Sequence, residues 1–276
     1  MNKKFTPGKI LLYIVQIIAA VMTIYPFLWM ISASFKPLRE IVSGNMSLIG
    51  ENMSLDNYKY IFGRSSLFPK WFLNSFMVAT IGTVINLFIN TMAGYALARL
   101  SFPGRNKVFY GLLAMMMIPG QVLLIPNYLI MLNLGMLDKF SSLIIPAAAN
   151  IGNIFMMRQF FMNFPKDVEE AASIDGLSRY GTFFRIAMPL AKPVISTQAI
   201  FIFMGFWNEF TKPMLYIKTE SLYTLTLGLQ TFSSRDAGTM WNQVMAAACI
   251  SILPIVIIYL IFNKYFLVGV RMDGEK

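Results

Sequence analysis

The amino-acid sequence predicts an all-α membrane protein with six transmembrane helices in a single domain, residues 1–276. Of its residues, 57% are hydrophobic and only 13% are charged, whereas a soluble domain carries about 25% charged residues. The hydrophobic residues form long runs, and a run of ~20 apolar residues crosses the hydrocarbon of a bilayer as a helix. Six runs are long enough: Ile10–Ile31, Phe72–Tyr95, Val108–Met131, Ser142–Phe160, Val194–Tyr216 and Val244–Phe266.

The first run is expected to remain as a transmembrane helix and not to be removed as a signal peptide. It is longer than the ~7–15 apolar residues of a signal-peptide core, and the small triplet Ser32-Ala33-Ser34 follows only after a full span. Four of the later runs contain proline, which kinks a helix and frees a backbone carbonyl. A membrane tolerates this inside a packed bundle or beside a water-filled cavity, so we expect some of these helices to line a path.

The distribution of basic residues predicts that both termini lie in the cytoplasm. Cytoplasmic loops carry an excess of lysine and arginine, and placing Lys3 and Lys4 inside puts most of the 23 basic residues there. The external segment Lys36–Lys70 is also basic, which weakens the asymmetry. In this orientation the segment 165–193, between the fourth and fifth runs, is the longest cytoplasmic loop.

Composition excludes several classes of protein. The net charge of +10 lies in short loops between apolar runs, not in the stripe or tail typical of nucleic-acid binding. Cys249 is the single cysteine and there is no histidine, so we expect no disulfide framework, no metal site and no catalytic residues. The phosphate-binding pattern G-x-x-x-x-G-K-[ST] is missing, and we therefore expect ATP to bind elsewhere.

The 165–193 loop carries the signals of two short helices joined by a turn. Asp167 and Glu169 favour the positive end of a helix dipole, Gly176 suits a left-handed stop, and Ser178 suits the start of a second helix. Helices that are partly apolar and lie outside the membrane need a surface to pack against. From these residues alone, a lipid surface and a protein partner remain equally open.

The spacing of residues within this loop resembles a known motif. Glu170-Ala171-Ala172 is followed after three residues by Gly176, after nine more by Ile186, and after one more by Met188-Pro189. This resembles the EAA loop of binding-protein-dependent ABC importer permeases, EAA-x3-G-x9-I-x-L-P, with methionine replacing leucine at similar volume. The resemblance extends over nearly the whole chain and is strongest to the carbohydrate-uptake branch. Further stretches that carry it are Ser34–Pro37, Asn74-Ser75, Tyr95–Arg99, Phe102–Arg105, Phe206–Phe210 and Thr224–Leu229.

The resemblance implies a fold, a location and a set of partners. The fold would be the type I (MetI-like) permease fold in a bacterial or archaeal cell membrane. The partners would be a second permease subunit in a heterodimer, two ATPase subunits that bind ATP and Mg, an extracellular solute-binding protein, and membrane lipid. The cargo would be a sugar, in particular an oligosaccharide, and the chain itself would bind no cofactor and no nucleic acid. The loop would dock on the ATPase through Glu169, Glu170, Ala171, Ala172, Asp175, Gly176, Ile186 and Pro189.

Polar and aromatic residues inside or beside the apolar runs are candidates for the substrate path. Glu209 either faces this path or an inter-subunit seam, or pairs with Lys212 at the outer interface. Trp207 either stacks on a sugar or belongs to an interfacial belt. The segment Asn127–Asp138 is a candidate for contact with the binding protein. The path candidates are Gln121, Asn127, Asn150, Asn153, Trp207, Asn208 and Glu209.

Three other functions have to be weighed against sugar import. An importer of glycerol phosphate or another polar solute would share every feature above. An ion-coupled carrier calls for several intramembrane carboxylates or histidines, and Glu209 is the one acidic residue within a run. An intramembrane enzyme calls for a metal or nucleophile cluster, for which the sequence provides no residues.

Overall fold

The computed structural model describes residues 7–44, 46–63, 66–234 and 238–272, so both predicted cytoplasmic ends, 1–6 and 273–276, lie outside the described residues. Helices dominate the described ranges, and the strands β1 (Ser233–Ser234) and β2 (Gly238–Thr239) form a small antiparallel pair. The α-helices are α1 (Pro7–Ala33), α2 (Leu38–Val42), α3 (Asp56–Ile61), α4 (Phe68–Arg99), α5 (Arg105–Met115), α6 (Leu124–Asn133), α7 (Ser141–Ile144), α8 (Ile151–Met162), α9 (Lys166–Ile174), α10 (Arg179–Thr182), α11 (Met188–Leu190), α12 (Lys192–Trp207), α13 (Thr211–Tyr216), α14 (Leu225–Leu229) and α15 (Trp241–Met272).

Three of the six apolar runs form long continuous helices. They correspond to α1, α4 and α15, and each contains a segment long and apolar enough to cross a membrane. Within the described residues, these three are the only single helices that meet this condition. The number of candidate crossings rises from three to five if each of two bent helix pairs is counted as one span. The predominantly helical fold is therefore confirmed, whereas the number of six spans stays a prediction.

The other three runs are broken where single helices were expected. Val108–Met131 divides into α5 and α6 with a bend of 92°, next to Pro119-Gly120. Ser142–Phe160 divides into α7, a 3₁₀ turn at Ile145–Ala147 and α8. Val194–Tyr216 ends its first helix at Trp207 and continues as the short α13. Proline cannot donate the backbone hydrogen bond of an α-helix, which accounts for the breaks near Pro119 and Pro146.

The chain forms two compact units, one made of Met1–Pro69 with Gly228–Leu253 and the other of Lys70–Leu227 with Pro254–Lys276. In the first unit the amide of Asn57 donates to the backbone oxygens of Ser34 and Lys36 at 2.8 and 2.9 Å. Lys36, expected as an external loop charge, is instead buried, and its ammonium donates to the oxygen of Ser47. These bonds satisfy the backbone that follows α1, as burial requires.

The second unit is organised around α4. One end of this helix holds the segment before α14, because Asn74 donates to the oxygens of Ser221 and Tyr223 and the Ser75 hydroxyl accepts from the amide of Leu225 at 2.7 Å. Further along, buried side chains of α4 pack into three clusters with residues of the later helices. These clusters contain Val78, Met131, Leu143, Ile144, Tyr216 and Ile217; Tyr95, Met157, Phe161, Phe183, Ala187 and Ala191; and Leu97, Phe109 and Ile154.

Gly94 allows α4 and α8 to approach each other closely. A Cβ at this position would lie 2.5 Å from the Cβ of Met157, 2.9 Å from the amide nitrogen of Arg158 and 3.1 Å from the carbonyl oxygen of Ile154. Two of these three atoms belong to the backbone of α8, so the contact cannot be relieved by a rotamer change. Small residues at helix crossings are the usual means of close packing in membranes.

Gly94→Ala is therefore expected to destabilise the protein by about 1–3 kcal/mol, the usual cost of overpacking. The matched control is Gly111→Ala on α5, where an added Cβ meets nothing within 4 Å and helix propensity favours alanine. Thermal unfolding of the purified protein in detergent measures both variants. Equal melting temperatures for the two variants would contradict the close approach of α4 and α8.

Asp138 fixes the loop that follows α6 to the chain after α13. The residue has a positive φ of 58°, and its amide donates to the oxygen of Tyr216 at 2.7 Å. Its carboxylate accepts from the Thr219 hydroxyl at 2.6 Å and from the amides of Lys218 and Thr219 at 2.9 Å each. The hydroxyl of Thr219, followed by these amides, holds the pKa of the Asp138 carboxyl below its ordinary value.

A depressed pKa means that the Asp138 contacts are fully present above the ordinary pKa of an aspartate and are lost as the pH falls through the lower, folded-state value. We expect Asp138→Asn, which keeps a side chain compatible with positive φ, to accelerate hydrogen exchange at Lys218 and Thr219 at neutral pH. Wild-type protein should approach the variant only well below about pH 4. Exchange rates corrected for intrinsic pH dependence provide the test, with Glu220→Gln as the control.

Candidate functional site

The segment 165–193 folds as the sequence predicts, into two helices joined by a turn. In α9, Asp167 and Glu169 lie in the first turn, where carboxylates are stabilised by the helix dipole. The helix stops at Gly176, whose φ of +80° lies in the left-handed region. The hydroxyl of Ser178 accepts from the amide of Gly181 at 3.2 Å and caps the helix that follows.

The second helix of this segment contains a π-helical turn. It begins as α10, widens into the π turn Phe183–Ala187 and ends as α11. Pro189 has no N–H to donate to the carbonyl of Arg185, so the α-helical hydrogen-bond pattern cannot continue unchanged there. The segment Arg179–Leu190 then meets α12 at an angle of 75°. π turns and proline bends of this kind are frequent at functional sites and hinges.

One face of the segment is open to solvent. Glu170, Ala171 and Asp175 are exposed, and so are two large apolar side chains, Ile174 in α9 at 86% exposure and Tyr180 in α10 at 73%. The remaining expected contact residues are divided between surface and core. Gly176 and Pro189 are exposed, Ile186 is half-buried and Ala172 is buried.

Glu169 differs from its neighbour Glu170 because its side chain is directed towards α4. Its Oε2 lies 3.0 Å from the Nε of Arg99, whose side chain is only 7% exposed. Arg99 also donates from Nη2 to the carbonyl oxygen of Phe164 at 2.8 Å. In the sequence, Arg99 is prominent only as the last residue of the stretch Tyr95–Arg99 that carries the family resemblance. No local pattern indicates this pair, because its members are distant in the chain.

An aromatic contact lies one turn before Arg99 on α4. The ring of Tyr95 packs at 5.2 Å, edge to face, against Phe161 at the end of α8, and at 5.0 Å against Phe183 in the π turn. Edge-to-face and tilted arrangements are favourable for aromatic pairs. The final turns of α4 therefore contact both α8 and the second helix of the 165–193 segment.

A second candidate site is an open cleft of about 420 Å³ in the second unit. Three of the expected path residues, Asn150, Asn153 and Glu209, line it together. Gln121, Asn127, Trp207 and Asn208 are not among its lining residues. Asn86, Lys212 and Thr224 add polar groups that were not expected there, while Phe201 and Phe206 provide aromatic surface.

Hydrogen bonds of amide side chains join α4, α8 and α12, and three of these side chains, Asn86, Asn150 and Asn153, line the cleft. The Asn86 amide donates to the oxygen of Ala147 at 2.6 Å, and Asn90 donates to Asn86 Oδ1. Asn90 Oδ1 accepts from the amide nitrogen of Asn150 at 3.0 Å. Asn153 donates to Asn86 Oδ1 at 3.2 Å, and Gln198 donates to the oxygen of Asn153 at 3.0 Å. The four-residue spacing of Asn86 and Asn90 places both on one helix face, and this spacing is a signal in the sequence that could have identified them beside the predicted path residues.

Glu209 forms an ion pair with Lys212. This pairing was one of three alternatives for Glu209 in the sequence, beside a position on the substrate path or at an inter-subunit seam. Its Oε2 lies 3.8 Å from the ammonium of Lys212, and its Oε1 accepts from the amides of Thr211 and Lys212 at 3.0 and 3.3 Å. The carboxylate therefore caps the first turn of α13. Glu209 also lines the cleft. The ion pair with Lys212 and a position on a substrate path are therefore compatible with each other.

Trp207 lies in the protein core. It is 2% exposed and packs against Phe72 at 5.4 Å and Phe203 at 5.6 Å. Asn208, the next residue, is exposed. In this conformation the indole ring presents no face on which a sugar stacks, and the aromatic surface of the cleft comes from Phe201 and Phe206.

Comparison with known proteins gives relatives that match 90% or more of the chain. The arabinooligosaccharides transport system permease protein AraQ of Bacillus subtilis is 32% identical over 277 residues, covering 100% of this chain and 98% of that protein. The trehalose/maltose transport system permease protein MalG of Thermococcus litoralis is 31% identical, with 97% of both chains covered. The diacetylchitobiose uptake system permease protein NgcG of Streptomyces coelicolor is 31% identical, covering 90% of this chain and 82% of the relative.

A solved structure and a family model complete the comparison. The crystal structure of a bacterial ABC transporter involved in the import of the acidic polysaccharide alginate superposes with a TM-score of 0.85 at 24% identity, covering 96% of this chain and 100% of that one. This establishes the fold. The family model described as the binding-protein-dependent transport system inner membrane component matches residues 90–272. The resemblance drawn from the EAA spacing is thus confirmed, and the chain belongs to the family of inner-membrane components of binding-protein-dependent transport systems.

Proposed function

We propose that this chain is one of two permease subunits of an ABC importer for oligosaccharides, with ATP hydrolysed on separate partner subunits. The full-length similarity to permeases of sugar transport systems carries the proposal. In this assembly the second permease is a different chain, and an extracellular solute-binding protein delivers the sugar. The chain itself binds neither ATP nor Mg and takes part as a transport subunit, not as an enzyme.

The exposed face of the 165–193 segment is the proposed docking surface for the ATPase. Glu170 and Asp175 supply charge for arginine or lysine on the partner, and Ile174 and Tyr180 supply apolar area that is 86% and 73% exposed in the single chain. Ala171 permits close approach. A lipid surface, the alternative that composition left open, fits the exposed face of α9 less well, because that face carries Glu170 and Asp175 whereas headgroup-binding helices carry basic residues on their polar face.

The cleft fits an uncharged polyhydroxyl cargo better than a phosphate ester. Its described lining contains one cation, Lys212, and the nearby carboxylate of Glu209 neutralises it at 3.8 Å. Amides of Asn86, Asn150 and Asn153 offer donors and acceptors at the same wall. Glycerol phosphate therefore remains the second candidate, since an anion is best held by a cation free of a competing carboxylate.

Deletion of this gene in its host is expected to abolish uptake of at least one oligosaccharide among radiolabelled arabinotriose, maltose and diacetylchitobiose. Glycerol 3-phosphate uptake should be unchanged. Uptake should also disappear when the partner ATPase is deleted. Loss of glycerol phosphate uptake alone would favour the second candidate, and import that persists without the ATPase would rule out an ABC importer.

Glu170→Lys is expected to weaken binding of the ATPase subunit. A hydrogen bond to a charged group contributes about 1.5–3 kcal/mol, so its loss lowers affinity by roughly tenfold or more. Co-purification with the ATPase and oligosaccharide uptake measure the effect. Glu51→Lys reverses an exposed carboxylate in the segment between α2 and α3 and is the matched control. Unchanged ATPase binding in Glu170→Lys would contradict the proposed docking surface.

We further propose six crossings with both termini in the cytoplasm, in which the bent pair α5–α6 crosses the membrane as one broken span. In a Cys249→Ala background, an impermeant maleimide should label Asn52→Cys and Leu134→Cys on intact cells. It should label Asn106→Cys and Ser173→Cys only after permeabilisation. If Leu134→Cys is also protected on intact cells, α5–α6 is a re-entrant loop and the number of crossings is lower.

A further inference from the structure

The Arg99–Glu169 ion pair joins the end of α4 to the first turn of α9. The pair separates the roles of two adjacent glutamates, because Glu170 is exposed whereas the Glu169 side chain is 20% exposed and lies against Arg99. We propose that Arg99 and Glu169 are positioning residues that make α9 and α4 move as one body when the ATPase closes. This inference rests on the proposed docking of the 165–193 segment.

Arg99 is held on several sides. Its Nε faces Glu169 at 3.0 Å, its Nη2 donates to the backbone oxygen of Phe164 at 2.8 Å, and its guanidinium lies 5.8 Å from the centre of the Phe164 ring. Phe164 belongs to the two-residue link between Asn163 and Lys166, so Arg99 bridges the end of α8 and the start of α9. One hydrogen bond, one ion pair and one ring contact on a planar group restrict its geometry more than the single point charge of a lysine would.

Burial makes this pair different from an ordinary surface ion pair. At 7% and 20% side-chain exposure, the two charges are poorly screened by water, and removing one leaves the other without compensation. The pair Lys59–Asp56 has the same 3.0 Å separation at 74% and 73% exposure. Exposed pairs of that type contribute little, which makes the external pair a matched comparison.

The chain offers two physical routes from α9 to the cleft. The covalent route passes through the π turn Phe183–Ala187 and the 75° bend before α12, both of which can absorb motion. The route through Arg99 enters α4, an unbroken helix of 32 residues. Asn90 and Asn86 lie 9 and 13 residues before Arg99, about 14 and 20 Å along the helix axis. The Tyr95–Phe183 contact connects the second helix of the segment to α4, whereas the ion pair joins α9 itself to α4. A movement of α9 is therefore passed directly through the ion pair to the stiff helix that carries Asn86, an amide of the cleft wall.

Spin labels test this without knowledge of the cargo. In a Cys249→Ala background, labels at Ser173→Cys on α9 and Val84→Cys on α4 report their separation in the complete complex with its partner permease and ATPase subunits. We expect one narrow distance distribution that is the same in the nucleotide-free and vanadate-trapped states. In Arg99→Gln and in the isosteric Glu169→Gln, the trapped state should gain a second population displaced by about 5 Å, the scale of known helix shifts.

The controls separate positioning from folding. Arg99→Lys keeps the charge and should restore most of the wild-type distribution, and Lys59→Gln should leave it unchanged. Wild-type distributions in both glutamine variants would overturn the proposal. A distribution that broadens equally in both states would also overturn it, because that result assigns the pair a structural role alone. If the Glu170→Lys variant still binds the ATPase, the proposed docking surface is contradicted. A failure of the docking proposal can therefore be distinguished from a failure of the positioning proposal.

Discussion

The structure depends on satisfying backbone hydrogen bonds where helices are interrupted in an apolar environment. The bilayer interior offers no water to an unpaired carbonyl or amide, and three of the six apolar runs are interrupted. At the break before α8, side chains of α4 take over this role: Asn86 donates to the oxygen of Ala147 and Asn90 accepts from the amide of Asn150. Of these two side chains, Asn86 also lines the cleft, together with Asn150 and Asn153. A side chain that satisfies the interrupted backbone therefore also contributes to the polar wall of the cleft.

Continuous and broken helices have different mechanical consequences. An intact helix such as α4 is stiff along its axis, whereas proline breaks and π turns provide places where the direction of the chain changes. In the second unit, α4 contacts α8 through Gly94 and Tyr95 and contacts α9 through Arg99. The broken elements therefore lie against a stiff one. A permease that alternates access by movement of packed bodies requires both kinds of element.

The sequence predicted the local structure of the 165–193 segment well, because its signals are local. The carboxylates, the glycine and the serine act on helix ends within a few residues, and the structure places them as expected. Prediction failed where an apolar run was assumed to be one helix, since hydrophobicity does not distinguish an intact helix from one broken at Pro119 or Pro146. It also did not place Trp207 in the core, because composition cannot tell an interfacial indole from a buried one.

The sequence by itself determined the membrane class, the family resemblance and the two-helix form of the 165–193 segment, because these depend on composition and on spacing along the chain. Tertiary structure alone decided that Glu169 faces inward to Arg99 while Glu170 faces solvent, and that Asn86 meets Asn150 and Asn153 at one cleft. These contacts join residues far apart in the chain. Their partners are selected by the packing of whole helices, which leaves no periodic pattern in the sequence.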